Sequence, residues 1–202
     1  MPVRQLHLSF AAVAVCALAA GVSGAGRGPE RRDAALLKAK VAAINAFAER
    51  PSDQSRRTTV TETEVNAYLL YDVGTNLPVG VVEPTVAILG AGRLSGRAVV
   101  DLDAVRKERK PTSLLDPMNY LGGRLPITAT GVLTTSDGVG HFSLESTAVS
   151  GIPVPKIVLQ EIVSYYSRRP DLPAGINLDS PFTLPARIRE ILVERGQAIV
   201  VQ

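Results

Sequence analysis

Paired apolar segments separated by short turns constrain the fold of this chain most strongly. Within each segment apolar and polar residues alternate, which places one side of a strand in the core and the other in solvent. Turns that contain glycine, such as Gly90-Ala91-Gly92, join the two members of a pair. The sequence therefore predicts three antiparallel hairpins, over residues 81–102, 125–149 and 188–201.

Two of these strands show the expected faces in detail. The predicted inner side of one strand carries Leu94, Gly96, Ala98, Val100 and Leu102. Its predicted solvent side carries Arg93, Ser95, Arg97, Val99 and Asp101. A later strand is predicted to place on one side Phe142, Leu144, Ser146 and Ala148. Because glycine and alanine inside strands allow curvature and close approach of another body, we expect a strongly curved sheet.

One amphipathic helix is predicted between the second and third hairpins, over residues 155–167. Pro155 suits the first helical position, where its missing N–H has no partner to lose. At 100° per residue, an apolar arc roughly 160° wide contains Tyr165, Val158, Ile162, Tyr166, Leu159 and Val163. The opposite side contains Gln160, Glu161, Ser164 and Ser167. We expect the strands to wrap around the apolar side.

Two further helices are predicted near the N-terminus. Asp33 can cap a helix that runs to about Arg50. The second helix begins at Thr61-Glu62-Thr63-Glu64, a capping box in which the Thr61 and Glu64 side chains bind each other's backbone N–H groups. Glu62 and Glu64 therefore need no catalytic explanation. The predicted class is α+β: a strongly curved antiparallel sheet of about six strands packed around an amphipathic helix, with two N-terminal helices.

Residues 1–25 have the features of a secretory signal peptide. Arg4 precedes a run of small and apolar residues from Leu8 to Val22, and Ser23-Gly24-Ala25 supplies small residues for cleavage near Ala25. An uncleaved anchor is the alternative, although the run is short for a span of roughly 20 residues. After cleavage we expect a periplasmic or secreted protein without a membrane span. Residues 26–57 would form a linker and helix, and residues 58–202 a single α+β domain.

The residues available for chemistry exclude several classes of function. Cys16 is the only cysteine and lies in the predicted leader, so the mature protein has no disulfide and no thiolate metal site. Removing the leader lowers the net charge from +3 to about +2, and the basic residues form no dense face, so we expect no nucleic-acid partner. His141 is alone, and Asp101 and Asp103 are explained by a strand end and a cap on the next turn. No catalytic motif is found, so we expect no enzyme, no metal and no cofactor.

What remains is apolar surface on the helix and the strands. One interpretation is a filled core, which makes the chain a ligand-free structural or interaction module with an envelope protein as partner. The other is a space between sheet and helix that holds an acyl chain, which makes it a binder or shuttle of a lipid or other apolar ligand in the cell envelope. The candidate lining residues are Val158, Ile162, Tyr166, Ile127, Phe142 and Leu144.

Several segments resemble small exported or membrane-anchored bacterial proteins of unknown function. They are residues 60–69, with a Thr-x-x-Glu-x-Asn pattern, the strand ending Val100-Asp-Leu-Asp103, and the segments Gly151-Ile-Pro-Val-Pro155 and Pro181-Phe-Thr-Leu-Pro185. The resemblance covers residues 58–202, and its motifs are structural, so it implies no catalytic residues. More distantly, the architecture is similar to the tubular lipid-binding (TULIP-like) superfamily, in which a curved sheet wraps a long helix. That similarity implies that this chain also encloses a lipid between its sheet and helix, by analogy of fold alone.

Overall fold

The computed structural model describes residues 28–50, 54–73, 77–108, 122–168 and 172–202. The predicted signal peptide lies outside these ranges. The helices are α1 (Arg31–Ala48), α2 (Glu62–Tyr71), α3 (Leu102–Glu108) and α4 (Lys156–Ser167). The strands are β1 (Arg57–Thr61), β2 (Val81–Gly90), β3 (Arg93–Asp101), β4 (Arg124–Ser136), β5 (Val139–Val149), β6 (Ile152–Pro153), β7 (Phe182–Thr183), β8 (Glu190–Glu194) and β9 (Gln197–Val201). Within the described ranges, no helix has the length and apolar character that crossing a bilayer requires.

The described strands form two sheets, and all of their pairings are antiparallel. The larger has the order β2-β3-β4-β5-β6, with β7 paired to β5, and contains the first two predicted hairpins. The α+β class and the six-stranded antiparallel sheet are thereby confirmed. The third hairpin, β8–β9, instead joins β1 in a separate sheet of order β1-β9-β8. Strand β1 was not predicted, although its Arg-Thr-Thr-Val-Thr sequence is rich in the β-branched residues that favour strands.

The predicted solvent side of β3 is only partly exposed. Arg93 and Arg97 are exposed as expected, but Ser95 and Val99 are buried, with Ser95 only 1% exposed. The prediction for Ser95 and Val99 is therefore wrong, although Arg93 and Arg97 on the same side of the strand are exposed. Alternation along a strand predicts which residues share a side, but not which of them another part of the chain covers.

A bulge in β5 changes which residues face the core. Thr130 of β4 pairs with Ser146, whereas the next residue, Gly131, pairs with Leu144, so Glu145 is left between two pairs. An extra residue of this kind reverses the sides of all residues beyond it. Phe142 and Leu144 therefore share a face with Thr147, and the prediction that Ser146 and Ala148 lie on that face is wrong. Thr147 is buried, while Ser146 is exposed.

The two N-terminal helices begin at capping boxes. In α2, the Glu64 N–H donates to Thr61 Oγ1 over 3.3 Å and the Thr61 N–H donates to Glu64 Oε2 over 2.9 Å, which confirms the predicted box. In α1 the cap is Glu30, three residues before the predicted Asp33. Asp33 occupies the third helical position and accepts the Glu30 N–H over 3.0 Å. The prediction missed this start because glutamate is a less common cap than aspartate.

Helix α2 closes the outer edge of β2. The Asn66 side chain donates to the Val86 carbonyl and accepts the Val86 N–H, both over 2.7 Å. Glu62 Oε2 accepts the Ile88 N–H over 2.7 Å. These side chains occupy backbone groups that a further strand would otherwise pair with, so they protect a sheet edge. Glu62 therefore has a structural role, as expected.

Helix α1 is joined to the C-terminal part of the chain. Ile44 is 1% exposed and packs with Leu184, Ile188 and Val200. Burial of an isoleucine side chain is worth about 1.5–3 kcal/mol. The amide of Gln202 adds a bond to the Ile44 carbonyl over 2.9 Å. The N-terminal helix thus shares a core with β9 and with the segment that precedes β8.

Candidate functional site

The six predicted lining residues occupy different environments. Ile127 and Phe142 are buried, and Leu144 is half-buried. Val158 is 42% exposed and faces away from the core more than its neighbour Leu159, which is buried. Ile162 and Tyr166 belong to α4, but their side chains lie outside the described part of the structure.

Phe142 and Leu144 connect two packed clusters on the inner face of the larger sheet. Phe142 packs with Ile88, Leu133 and Val193, which brings the larger sheet against β8. Leu144 contacts that cluster and also a second cluster, formed by Ala129, Leu159, Leu178 and Val163. The second cluster joins β4 to α4 and to the loop after it. The predicted sheet residues therefore lie along the side of the sheet on which α4 packs.

Two glycines on this side make room for aromatic rings of the same chain. A Cβ added to Gly131 would lie 2.8 Å from Cε1 of Phe142, and one added to Gly140 would lie 2.5 Å from the Phe182 ring. Both distances are too short for real contacts, so only glycine fits at these positions. Small residues in the strands were expected to let another body approach the sheet closely. At Gly131 and Gly140 that body is a phenylalanine ring of the same chain, Phe142 or Phe182.

Part of the polar side of α4 faces the protein: Gln160, Ser164 and Ser167 are half-buried, whereas Glu161 is exposed. Gln160 Nε2 donates to the Ile176 carbonyl over 3.0 Å, and Gln160 Oε1 accepts the Leu178 N–H over 2.8 Å. Ser167 Oγ accepts the Ile176 N–H over 2.6 Å. Gly175, at φ +73°, lies so close to the Ser164 carbonyl that a side chain would clash there. The segment 175–178 is thus held against the side of α4 that carries Gln160, Ser164 and Ser167.

Apolar side chains lie exposed around the start of α4. Ile157 is 65% exposed, Val158 is 42% exposed, and Ile152 in the preceding β6 is 68% exposed. We call these three residues the β6–α4 apolar surface. The Lys156 ammonium beside them forms an ion pair with Asp179. Sequence reasoning missed Ile152 and Ile157 because Ile157 falls outside the predicted arc and Ile152 precedes the predicted helix.

The carboxylates considered for a cation site have other partners. Asp101 Oδ1 accepts the Ala104 N–H over 2.9 Å, and this bond, with help from Arg124, holds the pKa of Asp101 below its usual value. Asp103 binds Arg106 over 2.7 Å and accepts the Gly123 N–H over 3.1 Å. Asp101, not Asp103, caps the turn that follows β3. Among the described residues, no group of three or more His, Cys, Asp or Glu side chains is placed to hold a metal ion.

Comparison with known proteins gives one weak likeness. No protein-family model matches the chain, and no curated protein matches it. A solved structure that does match is the crystal structure of a lipopolysaccharide binding protein, at 16% sequence identity and a TM-score of 0.22. The match covers 72% of this chain and 40% of that one, so the chain spans less than half of its length. A TM-score this low does not establish a shared fold.

Proposed function

We propose that this protein binds or shuttles a lipid or another apolar ligand in the cell envelope, and that the β6–α4 apolar surface is where the ligand makes contact. One observation carries the proposal: α4 leaves Ile157 and Val158 exposed in its first turn, although it buries Leu159 against the sheet and bonds Gln160 to its own loop. Gln160 is half-buried and bonded to residues 176 and 178, while Ile157 is 65% exposed. A helix that served only to cover the sheet would bury Ile157 and Val158 as it buries Leu159.

The exposed side chains supply a useful binding free energy. Full burial of an isoleucine is worth about 1.5–3 kcal/mol, so covering the exposed two-thirds of Ile152 and of Ile157 would contribute about 1–2 kcal/mol each. These exposed apolar side chains follow one another closely along the chain, and contiguous apolar surface marks contact sites more often than single residues do. An acyl chain or a lipid surface could cover these apolar side chains without needing polar groups that match the protein.

The proposal includes a location outside the cytoplasm. The predicted leader would export the chain, and an exported carrier meets lipids in the periplasm or at the cell surface. We also propose that the chain is related to the exported proteins it resembles, and that its role is binding without catalysis.

The test is the lipid content of protein purified from its own host. We expect native mass spectrometry and lipid extraction to find bound lipid with the wild type, and several-fold less with the double variant I152S/I157S. Leu36→Ser in α1 is the matched control, because Leu36 is 50% exposed on a different helix. Both changes alter exposed side chains, so unfolding midpoints should stay close to that of the wild type. Wild-type protein free of lipid, or equal lipid in all three proteins, would refute the proposal.

A ligand-free interaction module of the envelope is the second candidate. It is favoured by the packing on the inner face of the sheet, where the Phe142 and Phe182 rings occupy the spaces over Gly131 and Gly140. In that case the β6–α4 apolar surface would contact a protein. The I152S/I157S variant would then lose cross-links to that protein in the envelope, and its lipid content would equal that of the wild type.

A further inference from the structure

Thr147 is a buried residue whose hydroxyl has no partner among the described residues. Buried polar groups are nearly always hydrogen-bonded, so each exception calls for an explanation. Gln202 Oε1 is likewise without a partner in the described part of the chain, but the amide nitrogen of Gln202 donates to Ile44 and Ala186 and so fixes that side chain. The Thr147 side chain has no such bond to explain its position.

The bulge in β5 is what turns Thr147 inward. Without the extra residue at Glu145, the strand would continue the alternation of Phe142 and Leu144 and would place Ser146 and Ala148 on the inner face. With it, Thr147 pairs with Ala129 and shares that face. Bulges commonly redirect a side chain beside a functional site.

The neighbours of Thr147 on this face are apolar. Ala129, its partner across the strands, packs with Leu159 of α4 and with Leu178. The backbone of Thr147 is used for structure, since its carbonyl accepts the Val154 N–H over 3.0 Å. Within the described part of the structure, the hydroxyl is therefore a hydrogen-bonding group on a mainly apolar surface that packs against α4. Sites for apolar ligands have this composition, with few polar groups that fix the ligand's orientation.

We infer that the Thr147 hydroxyl is the polar anchor of the ligand site and donates a hydrogen bond to the carbonyl or carboxylate oxygen of an acyl compound. This inference rests on the proposed function. The acyl chain would leave the anchor between β5 and α4 toward the β6–α4 apolar surface. Because the hydroxyl is closed from solvent in this structure, entry of the ligand requires the side chains that cover Thr147 to move.

The experiment compares three variants of the full chain after lipid removal. Thr147→Val removes the hydroxyl at nearly constant volume, and Thr147→Ser retains it. Thr130→Val is the matched control, because Thr130 pairs with Ser146 on the other face of the same strands. Each protein is titrated with palmitate and with monopalmitoylglycerol, below the concentrations at which these aggregate. The first probe offers a carboxylate and the second an ester carbonyl.

We expect T147V to bind a probe about tenfold more weakly than the wild type does, the usual effect of losing one hydrogen bond to a ligand. T147S and T130V should bind it as the wild type does. A loss confined to one probe identifies the carboxylate or the ester as the anchored group. The Tm of ligand-free T147V should equal or exceed that of the ligand-free wild type. A weaker affinity of T147V can then be attributed to the missing hydroxyl and not to a loss of folded protein. Should T147V fail to fold, Thr147→Ala takes its place.

Two results would overturn the inference. If T147V binds both probes as tightly as the wild type, the hydroxyl is not the anchor, while binding by the wild type still supports the proposed function. If the wild type binds neither probe, the anchor and the proposed acyl ligand are both refuted.

Discussion

The orientation of α4 can be tested at Gln160. Its amide makes three hydrogen bonds: to the Ile176 carbonyl over 3.0 Å, to Ser164 Oγ over 2.6 Å and from the Leu178 N–H over 2.8 Å. In Gln160→Ala the Ile176 carbonyl keeps a bond from Ser164 Oγ, whereas the Leu178 N–H, next to a buried side chain, loses its acceptor. An unsatisfied group of this kind costs about 1–3 kcal/mol.

The assay is equilibrium unfolding in urea, followed by circular dichroism. We expect Q160A to lower the free energy of unfolding by about 1–3 kcal/mol at an unchanged dependence on urea. In a chain of this size each kcal/mol corresponds to about 2–4 °C in Tm. Glu161→Ala is the matched control, since Glu161 is the next residue of the helix and is exposed. Its effect should stay within about 0.5 kcal/mol. Equal stability of Q160A and E161A would mean that Gln160 does not hold residues 176–178 against α4, and the orientation described for this helix would be wrong.

Two further predictions concern the edge of β2 and the cap after β3. Asn66→Ala removes both bonds to Val86 and should destabilise the protein by about 1–3 kcal/mol in the same urea assay, and exposure of that strand edge should increase aggregation on heating. An unchanged midpoint would show that α2 does not secure the edge. The lowered pKa of Asp101 means that its carboxylate stabilises the fold above its ordinary pKa near 4, and that this contribution disappears as the pH falls through the lower folded value. The wild type should therefore be more stable than D101A at pH 6, and this advantage should shrink as the pH falls below the ordinary pKa of aspartate; a difference independent of pH would contradict the assignment.

The parts of the fold predicted from sequence are those that depend on neighbouring residues. Thr61 and Glu64 lie three positions apart, so their capping box can be recognised in the local sequence. The first two hairpins follow from alternation on either side of a turn. The separate sheet was missed because β9 lies between β1 and β8, and β1 is more than a hundred residues away in sequence.

The candidate site was less predictable because two distant features determine it. The bulge at Glu145 has no proline or glycine to mark it, so the inward turn of Thr147 was not seen. The orientation of α4 depends on bonds from Gln160 to residues 176 and 178, which follow the helix and carry no pattern that shows where they pack. The apolar arc in the sequence identifies the apolar side of a helix. It does not show which residues of that side a neighbouring segment covers and which it leaves exposed.

The central claim is that the exposed apolar residues at the start of α4 contact a lipid. The most direct measurement replaces Ile157 with a photoreactive phenylalanine analogue, irradiates cells that express the protein, and weighs the products by mass spectrometry. We predict an adduct with the mass of an acyl lipid. An adduct with a protein and none with a lipid would contradict the claim.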